Sequence, residues 1–150
     1  MADDLKLVKE LRDKTGAGFL DCKEALSNNN GNIDNAIDYL RKKGLSKASK
    51  KSSREANEGA IGFYENNNVC VLIKINSETD FAAKSDTFLN FVDYIGNIIL
   101  DLNKTELDLD MFLDTKISSQ SIKEIFDEMI AKIGENIVFY SSVDRHLSSN

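Results

Sequence analysis

The sequence predicts an α+β chain: an N-terminal three-helix unit, a basic connector, then a three-stranded antiparallel sheet covered by helices. Three observations predict it. Residues 4–43 repeat apolar side chains at helical spacing, with glycine- and asparagine-rich breaks between them. Residues 69–75, Val-Cys-Val-Leu-Ile-Lys-Ile, form a largely β-branched run without Gly or Pro. Two later segments, at 86–102 and 121–133, carry wide apolar stripes.

The first helix is expected over 4–14, with Leu5, Val8 and Leu11 on its apolar side and Leu7 at the edge. Thr15-Gly16-Ala17-Gly18 breaks it, because glycine permits a tight turn that a Cβ would resist. The second helix, 20–28, points Cys22, Ala25 and Leu26 inward. Asn32 is placed to cap a third, which carries Ile33, Ala36, Ile37 and Leu40 and is expected to end at Gly44. So small a bundle buries little area by itself. Residues 45–58 read as a solvated, partly helical connector: from Arg41 to Arg54 there are seven basic residues and no acid.

Residues 60–65 and 69–75 are expected to form a hairpin around Asn66-Asn67-Asn68, since asparagine tolerates left-handed backbone. Asp86 is the expected cap of the helix that follows, whose apolar stripe is Phe88, Phe91, Val92, Ile95, Ile98, Ile99 and Leu102. Residues 103–115 read as an acidic irregular segment anchored by Leu107, Leu109, Met111 and Phe112. Ser118 or Ser119 is placed to cap the helix at 121–133, and Gly134 to end it. Residues 137–143 are the last strand. The expected division is a helical domain at 1–44, a basic linker at 45–58, a core unit at 59–143 and a frayed tail at 144–150.

With 41% hydrophobic and 29% charged residues over 150 positions, the composition is that of a folded chain of one or two small domains. No apolar run reaches the roughly 18 residues of a membrane span. The early acids Asp3 and Asp4 fit neither a signal peptide nor a basic presequence. Cys22 and Cys70 fall on apolar faces and read as buried free thiols, which suits a reducing cytoplasm. The net charge of −6 is uneven: residues 1–58 hold 12 basic and 10 acidic groups, residues 59–150 hold 7 and 15. An acidic main body argues against nucleic acid as the chief partner. The basic run also lacks interleaved aromatics on which bases would stack.

Nothing in the sequence assembles the side chains of an enzyme. There is no phosphate-binding GxxxxGK[ST] loop and no dinucleotide glycine fingerprint. The lone histidine, His146, sits in the tail and reads as solvent-exposed, and neither cysteine has a histidine near it in sequence. The carboxylates are not clustered like ligands, and neither 66–68 nor 106–114 matches a calcium-binding loop. No cofactor or metal is expected.

Protein binding remains, and one place stands out for it. The strand at 69–75 breaks at Asn76-Ser77-Glu78-Thr79, and Asp80 and Phe81 follow between two rigid elements. Residue pattern alone leaves two readings. Asp80 is a helix cap or turn former and Phe81 a core residue at a helix start, or Phe81 is held out as a wedge beside a competing carboxylate. Buried in a partner, such a ring gains about 1.5–3 kcal/mol.

Several spaced stretches resemble one family. They are residues 11–26 (Leu-Arg-Asp-Lys-Thr-Gly-Ala-Gly-Phe-Leu-Asp-Cys-Lys-Glu-Ala-Leu) and 31–44 (Gly-Asn-Ile-Asp-Asn-Ala-Ile-Asp-Tyr-Leu-Arg-Lys-Lys-Gly). After the basic linker come 54–59 (Arg-Glu-Ala-Asn-Glu-Gly), 78–84 (Glu-Thr-Asp-Phe-Ala-Ala-Lys) and 132–137 (Lys-Ile-Gly-Glu-Asn-Ile). In this order they resemble bacterial elongation factor Ts, the guanine-nucleotide exchange factor of the translation GTPase elongation factor Tu. The resemblance implies that the three-helix unit is similar to ubiquitin-associated domains and docks on the GTPase's nucleotide-binding domain. Arg12, Phe19 and Leu20 fall on that contact. Asp80 and Phe81 fall on the family's signature pair, flanked in the implied contact by Thr79 and Ala82. The family's phenylalanine displaces segments that organise Mg²⁺ and the phosphates of the GTPase.

The sequence departs from the pattern in places. Phe19 and Leu20 stand where Met is often found, a size-conserving change. Ala82 stands where Val is common and supports Phe81 more loosely. The resemblance also implies a second core subdomain, which helps grip the GTPase or form a dimer; where it is lacking, an exposed edge strand or sheet face at 137–143 is expected to invite pairing with another copy. Two other functions compete. A ubiquitin-associated-like adaptor would bind a partner without changing GDP release, and a ribosome or RNA accessory protein would use the 41–54 basic run.

Overall fold

Three helices open the chain in the computed structural model, which describes residues 2–67, 69–104 and 106–145. They are α1 (Ala2–Thr15), α2 (Phe19–Asn28) and α3 (Ile33–Lys51). The sheet-bearing part follows as β1 (Glu58–Glu65), β2 (Val69–Ser77), α4 (Asp80–Lys84), α5 (Asp86–Leu102), α6 (Leu109–Asp114), β3 (Lys116–Ile117), β4 (Gln120–Ser121), α7 (Ile122–Ile133) and β5 (Val138–Arg145). The predicted fold class is therefore observed: a helical bundle, a connection, and a three-stranded antiparallel sheet flanked by helices.

The bundle closes around Val8, Leu11, Cys22, Ala25, Leu26 and Ala36. Ala25 and Ala36 are fully buried, and small side chains there let the helices approach. Leu5, expected on the apolar side, is exposed instead. Successive helical residues are about 100° apart, so Leu7, Val8 and Leu11 lie within one arc of about 100° and Leu5 falls outside it. Gly16 adopts φ +66° and donates its N–H to the Arg12 carbonyl at 2.7 Å, which ends α1. Asn32 caps α3 as expected, its side chain accepting the Asn35 N–H at 2.9 Å.

The expected stop at Gly44 does not occur. α3 runs on to Lys51 because its second half packs along α7. A Cβ on Gly44 would meet the Ala131 Cβ at 3.5 Å, and Ala48 is buried in the main core. This packing offsets the roughly 1 kcal/mol that a glycine costs a helix interior. Part of the predicted linker is thus helix packed on the core unit, and residues 52–57 make the connection to β1.

The sheet has the order β1-β2-β5, all antiparallel, with Ile75 of β2 facing Ala60 on one side and Phe139 on the other. Strand alternation sends Val69, Val71, Ile73 and Ile75 to one face. There they meet Phe88, Phe91, Val92, Ile95 and Ile99 of α5 and Ile122, Phe126 and Ile130 of α7. Phe91 and Phe126 pack edge to face with centroids 5.0 Å apart. The same alternation puts Cys70 on the opposite face, so it is half-buried rather than core, while Cys22 is buried as expected. That outer face also shows Ile61, Phe63, Leu72 and Tyr140, all exposed.

Local signals were misplaced at several ends. Ser85, not Asp86, caps α5 by accepting the Phe88 N–H, because its extended backbone (ψ 146°) turns the side chain back. Ser121, not Ser118 or Ser119, caps α7 in a capping box with Glu124. Ser118 is occupied in the β3–β4 turn at φ +59°. The segment expected to be irregular contains α6, which Asp108 caps and which buries Phe112 in the core. Gly134 ends α7 at φ +82°, as predicted. The last strand starts one residue late and continues through Asp144 and Arg145, since β2 is long enough to pair with them. His146 and the rest of the expected tail, and Asn68 of the hairpin turn, lie outside the described residues.

Candidate functional site

The corner between β2 and α5 presents the Asp80–Phe81 pair. β2 ends at Ser77, which is fully buried and donates its hydroxyl to the Thr79 carbonyl at 3.0 Å. Thr79, not Asp80, is the cap of α4, its hydroxyl accepting the Ala82 N–H at 3.3 Å. At the far end Ser85 caps α5 and also donates its hydroxyl to the Ala82 carbonyl at 2.7 Å. Five helical residues are thus held at both ends.

Their facing follows from helix geometry. Ala83 is buried in the main core. Phe81 lies two residues earlier, about 200° around the helix, and so points away from that core. Its ring is 86% exposed. Of the two readings the sequence left open, the structure removes the core residue and the Asp80 cap. Asp80 instead stands in the first turn and pairs with Lys84 at 2.9 Å. The hydrogen bond from Lys84, and then its charge, hold the Asp80 carboxyl below the usual range. Both groups are open to water, so the pair contributes little to stability. It keeps a carboxylate ionised beside an exposed ring.

The remaining site residues lie on the bundle. Arg12 is in the last turn of α1 and exposed. Phe19 and Leu20 form the first turn of α2 and are 42% and 77% exposed. That turn is fixed by Asp21, which Lys43 and Lys47 of α3 approach at 2.9 and 3.4 Å. The hydrogen bond from Lys43 is the main reason the Asp21 carboxyl titrates low. The structure therefore groups Thr79, Asp80, Phe81 and Ala82 at one tip, with Ala82 half-buried. Arg12, Phe19 and Leu20 lie on the other unit, at the end of α1 and the start of α2.

Sequence reasoning missed the groups that hold the tip from behind. Glu135 and Asn136, between α7 and β5, bond to Glu78 and Thr79 from more than fifty residues away. Their sequence signals were their place after the Gly134 helix stop and in the 132–137 stretch of the family resemblance, neither of which says what they touch.

The family model described as Elongation factor TS matches residues 78–145, beginning at this tip and ending with β5. A curated relative, elongation factor Ts of Alkalilimnicola ehrlichii, is 46% identical over 139 residues, which is 91% of this chain. This chain is homologous to bacterial elongation factor Ts. The aligned stretch is 47% of the relative, so the chain spans about half the length of the elongation factor Ts it matches. The homology takes in both the bundle and the sheet unit, because the aligned share is too large for either alone. Among the described residues no helix is long and apolar enough to cross a membrane.

Proposed function

We propose that this chain is a cytoplasmic guanine-nucleotide exchange factor that binds elongation factor Tu and promotes its GDP release. The observation that carries the reading is an almost fully exposed Phe81 on a helix anchored at both ends, in a chain homologous to elongation factor Ts. Phe81 enters the GTPase between elements near the nucleotide, and the Asp80 carboxylate competes for hydrogen bonds there. This disturbs the region that organises Mg²⁺ and phosphate. The three-helix unit acts as a ubiquitin-associated-like dock through Arg12, Phe19 and Leu20. No covalent bond changes. Factor and GDP each weaken the other's hold on the GTPase, so exchange is faster while the final GDP/GTP balance is unaltered.

Release of a fluorescent GDP analogue from elongation factor Tu tests this directly. Release accelerated in proportion to added chain is the expected result, and a rate unaffected at saturating chain overturns the proposal. Arg12→Ala is expected to weaken binding by roughly two- to tenfold, the range of a partly exposed charged contact. Isothermal titration against elongation factor Tu measures this, and an unchanged affinity removes Arg12 from the contact.

The outer face of the sheet supports a second contact. Ile61, Phe63, Leu72 and Tyr140 are exposed apolar side chains on this face, spread over three strands with Lys74 standing between Ile61 and Tyr140. We place a second copy of the chain there. Sedimentation equilibrium should then show a dimer that Phe63→Ser weakens, and a monomer at all concentrations would exclude it.

A further inference from the structure

The tip is anchored by its own turn and also gripped by a distant carboxylate. Glu135 Oε1 accepts two backbone N–H bonds, from Glu78 at 3.1 Å and Thr79 at 2.9 Å. Glu135 Oε2 accepts the Thr79 hydroxyl at 2.7 Å. The grip is returned: the Glu78 carboxylate accepts the Asn136 N–H at 2.8 Å, with Arg54 3.6 Å from the same oxygen. Asn136 is itself buried and donates to the Arg54 carbonyl at 2.7 Å. Thus the loop after α7 fastens the turn that leads into α4 and the chain that leaves α3.

The Thr79 hydroxyl has two tasks. It donates to Glu135 and accepts the Ala82 N–H that starts α4. One carboxylate therefore orients the hydroxyl that caps the helix on which Asp80 and Phe81 stand. The two backbone bonds fix the direction from which the chain enters that helix. Phe81 contributes nothing to holding itself, since its ring is almost wholly in water.

We propose that Glu135 is a positioning residue for exchange: its carboxylate sets the direction in which α4 presents Phe81 and Asp80 to the GTPase. The proposal rests on the reading of that tip as the working contact. Glu135 itself need not touch the partner. Without it α4 still forms, but its axis wanders and the fraction of chains with Phe81 correctly aimed falls.

The test compares Glu135→Ala, Glu135→Asp, Glu135→Gln and Phe81→Ala in the full chain. It reads maximal GDP release from elongation factor Tu, the half-saturating concentration, the thermal midpoint, and amide hydrogen exchange at residues 78–82. Glu135→Ala is expected to lower maximal release roughly tenfold and to speed amide exchange at Glu78 and Thr79 by a similar factor, with the core amides unchanged. Glu135→Asp keeps the charge but draws the carboxyl back by about one carbon–carbon bond, ~1.5 Å, and is expected to lose several-fold. Glu135→Gln keeps an acceptor for the two backbone N–H groups and is expected to recover most of the rate.

A purely structural role would lower the midpoint and loosen core amides while leaving the folded protein's release rate intact, and that result overturns the proposal. So does wild-type release from Glu135→Asp, which remains decisive should the alanine variant not fold. If Phe81→Ala alone leaves release unchanged, the tip reading fails and this proposal falls with it. If Phe81→Ala lowers release and the Glu135 variants do not, only the positioning role fails.

Discussion

Phe81→Ala is expected to cut stimulated GDP release roughly 10- to 150-fold, the rate equivalent of the about 1.5–3 kcal/mol a buried phenylalanine ring supplies. The thermal midpoint should move by no more than about 2 °C. An exposed substitution changes stability by about 0.5 kcal/mol or less, and a chain of this size shifts about 2–4 °C per kcal/mol. The asymmetry arises because the ring is 86% exposed and the helix beneath it is held by Thr79, Ala83 and Ser85. Stopped-flow release with elongation factor Tu and a melting curve on the same sample measure both halves. A variant that melts normally and releases GDP at the parental rate would remove Phe81 from the mechanism.

Phe88→Ala, seven residues on, should do the reverse. Phe88 is fully buried beneath the sheet, in the first turn of α5. Removing its ring deletes apolar burial and leaves a cavity, which together cost about 3–5 kcal/mol. For a chain of this length the midpoint should fall by roughly 6–20 °C. Exchange assayed well below the new midpoint should recover toward the parental value, because the tip is rebuilt whenever the chain is folded. Thermal denaturation followed by circular dichroism gives the shift; a drop under about 2 °C would mean the core closes over the gap.

These two phenylalanines show where sequence reading succeeded and where it stopped. Phe88 lies on a stripe with Phe91, Val92, Ile95 and Ile99, and a stripe at helical spacing reports its own inward face. Phe81 belongs to a five-residue helix, too short to carry a periodicity. Pattern alone therefore left it between core residue and wedge, and the family resemblance weighted the choice. The facing was decided by Ala83, whose burial turns the ring outward.

The other misplacements have related causes. Gly44 looked like a helix stop because glycine usually is one, but the favourable packing of α3 along α7 lies in another part of the chain. The helix caps slipped by one to three residues because any nearby serine or aspartate satisfies the pattern, and backbone angles choose among them. Cys70 was assigned to the core by the apolar character of its strand, whereas alternation puts it on the outer face.

The sequence by itself determined the five long helices and the three strands of the main sheet, their order, most of the inward-facing residues of those helices and the motifs shared with elongation factor Ts; it did not show the short α4 and α6 or the β3–β4 pair. What it determined is written in local spacing and residue type. Only the tertiary structure decided that Phe81 faces water, that α3 runs on to Lys51, that one sheet face carries exposed apolar side chains, and that Glu135 grips the turn before α4. Each of those depends on which surfaces meet after the chain has folded back, across separations of fifty residues and more in the case of Glu135, and no local pattern records such a meeting.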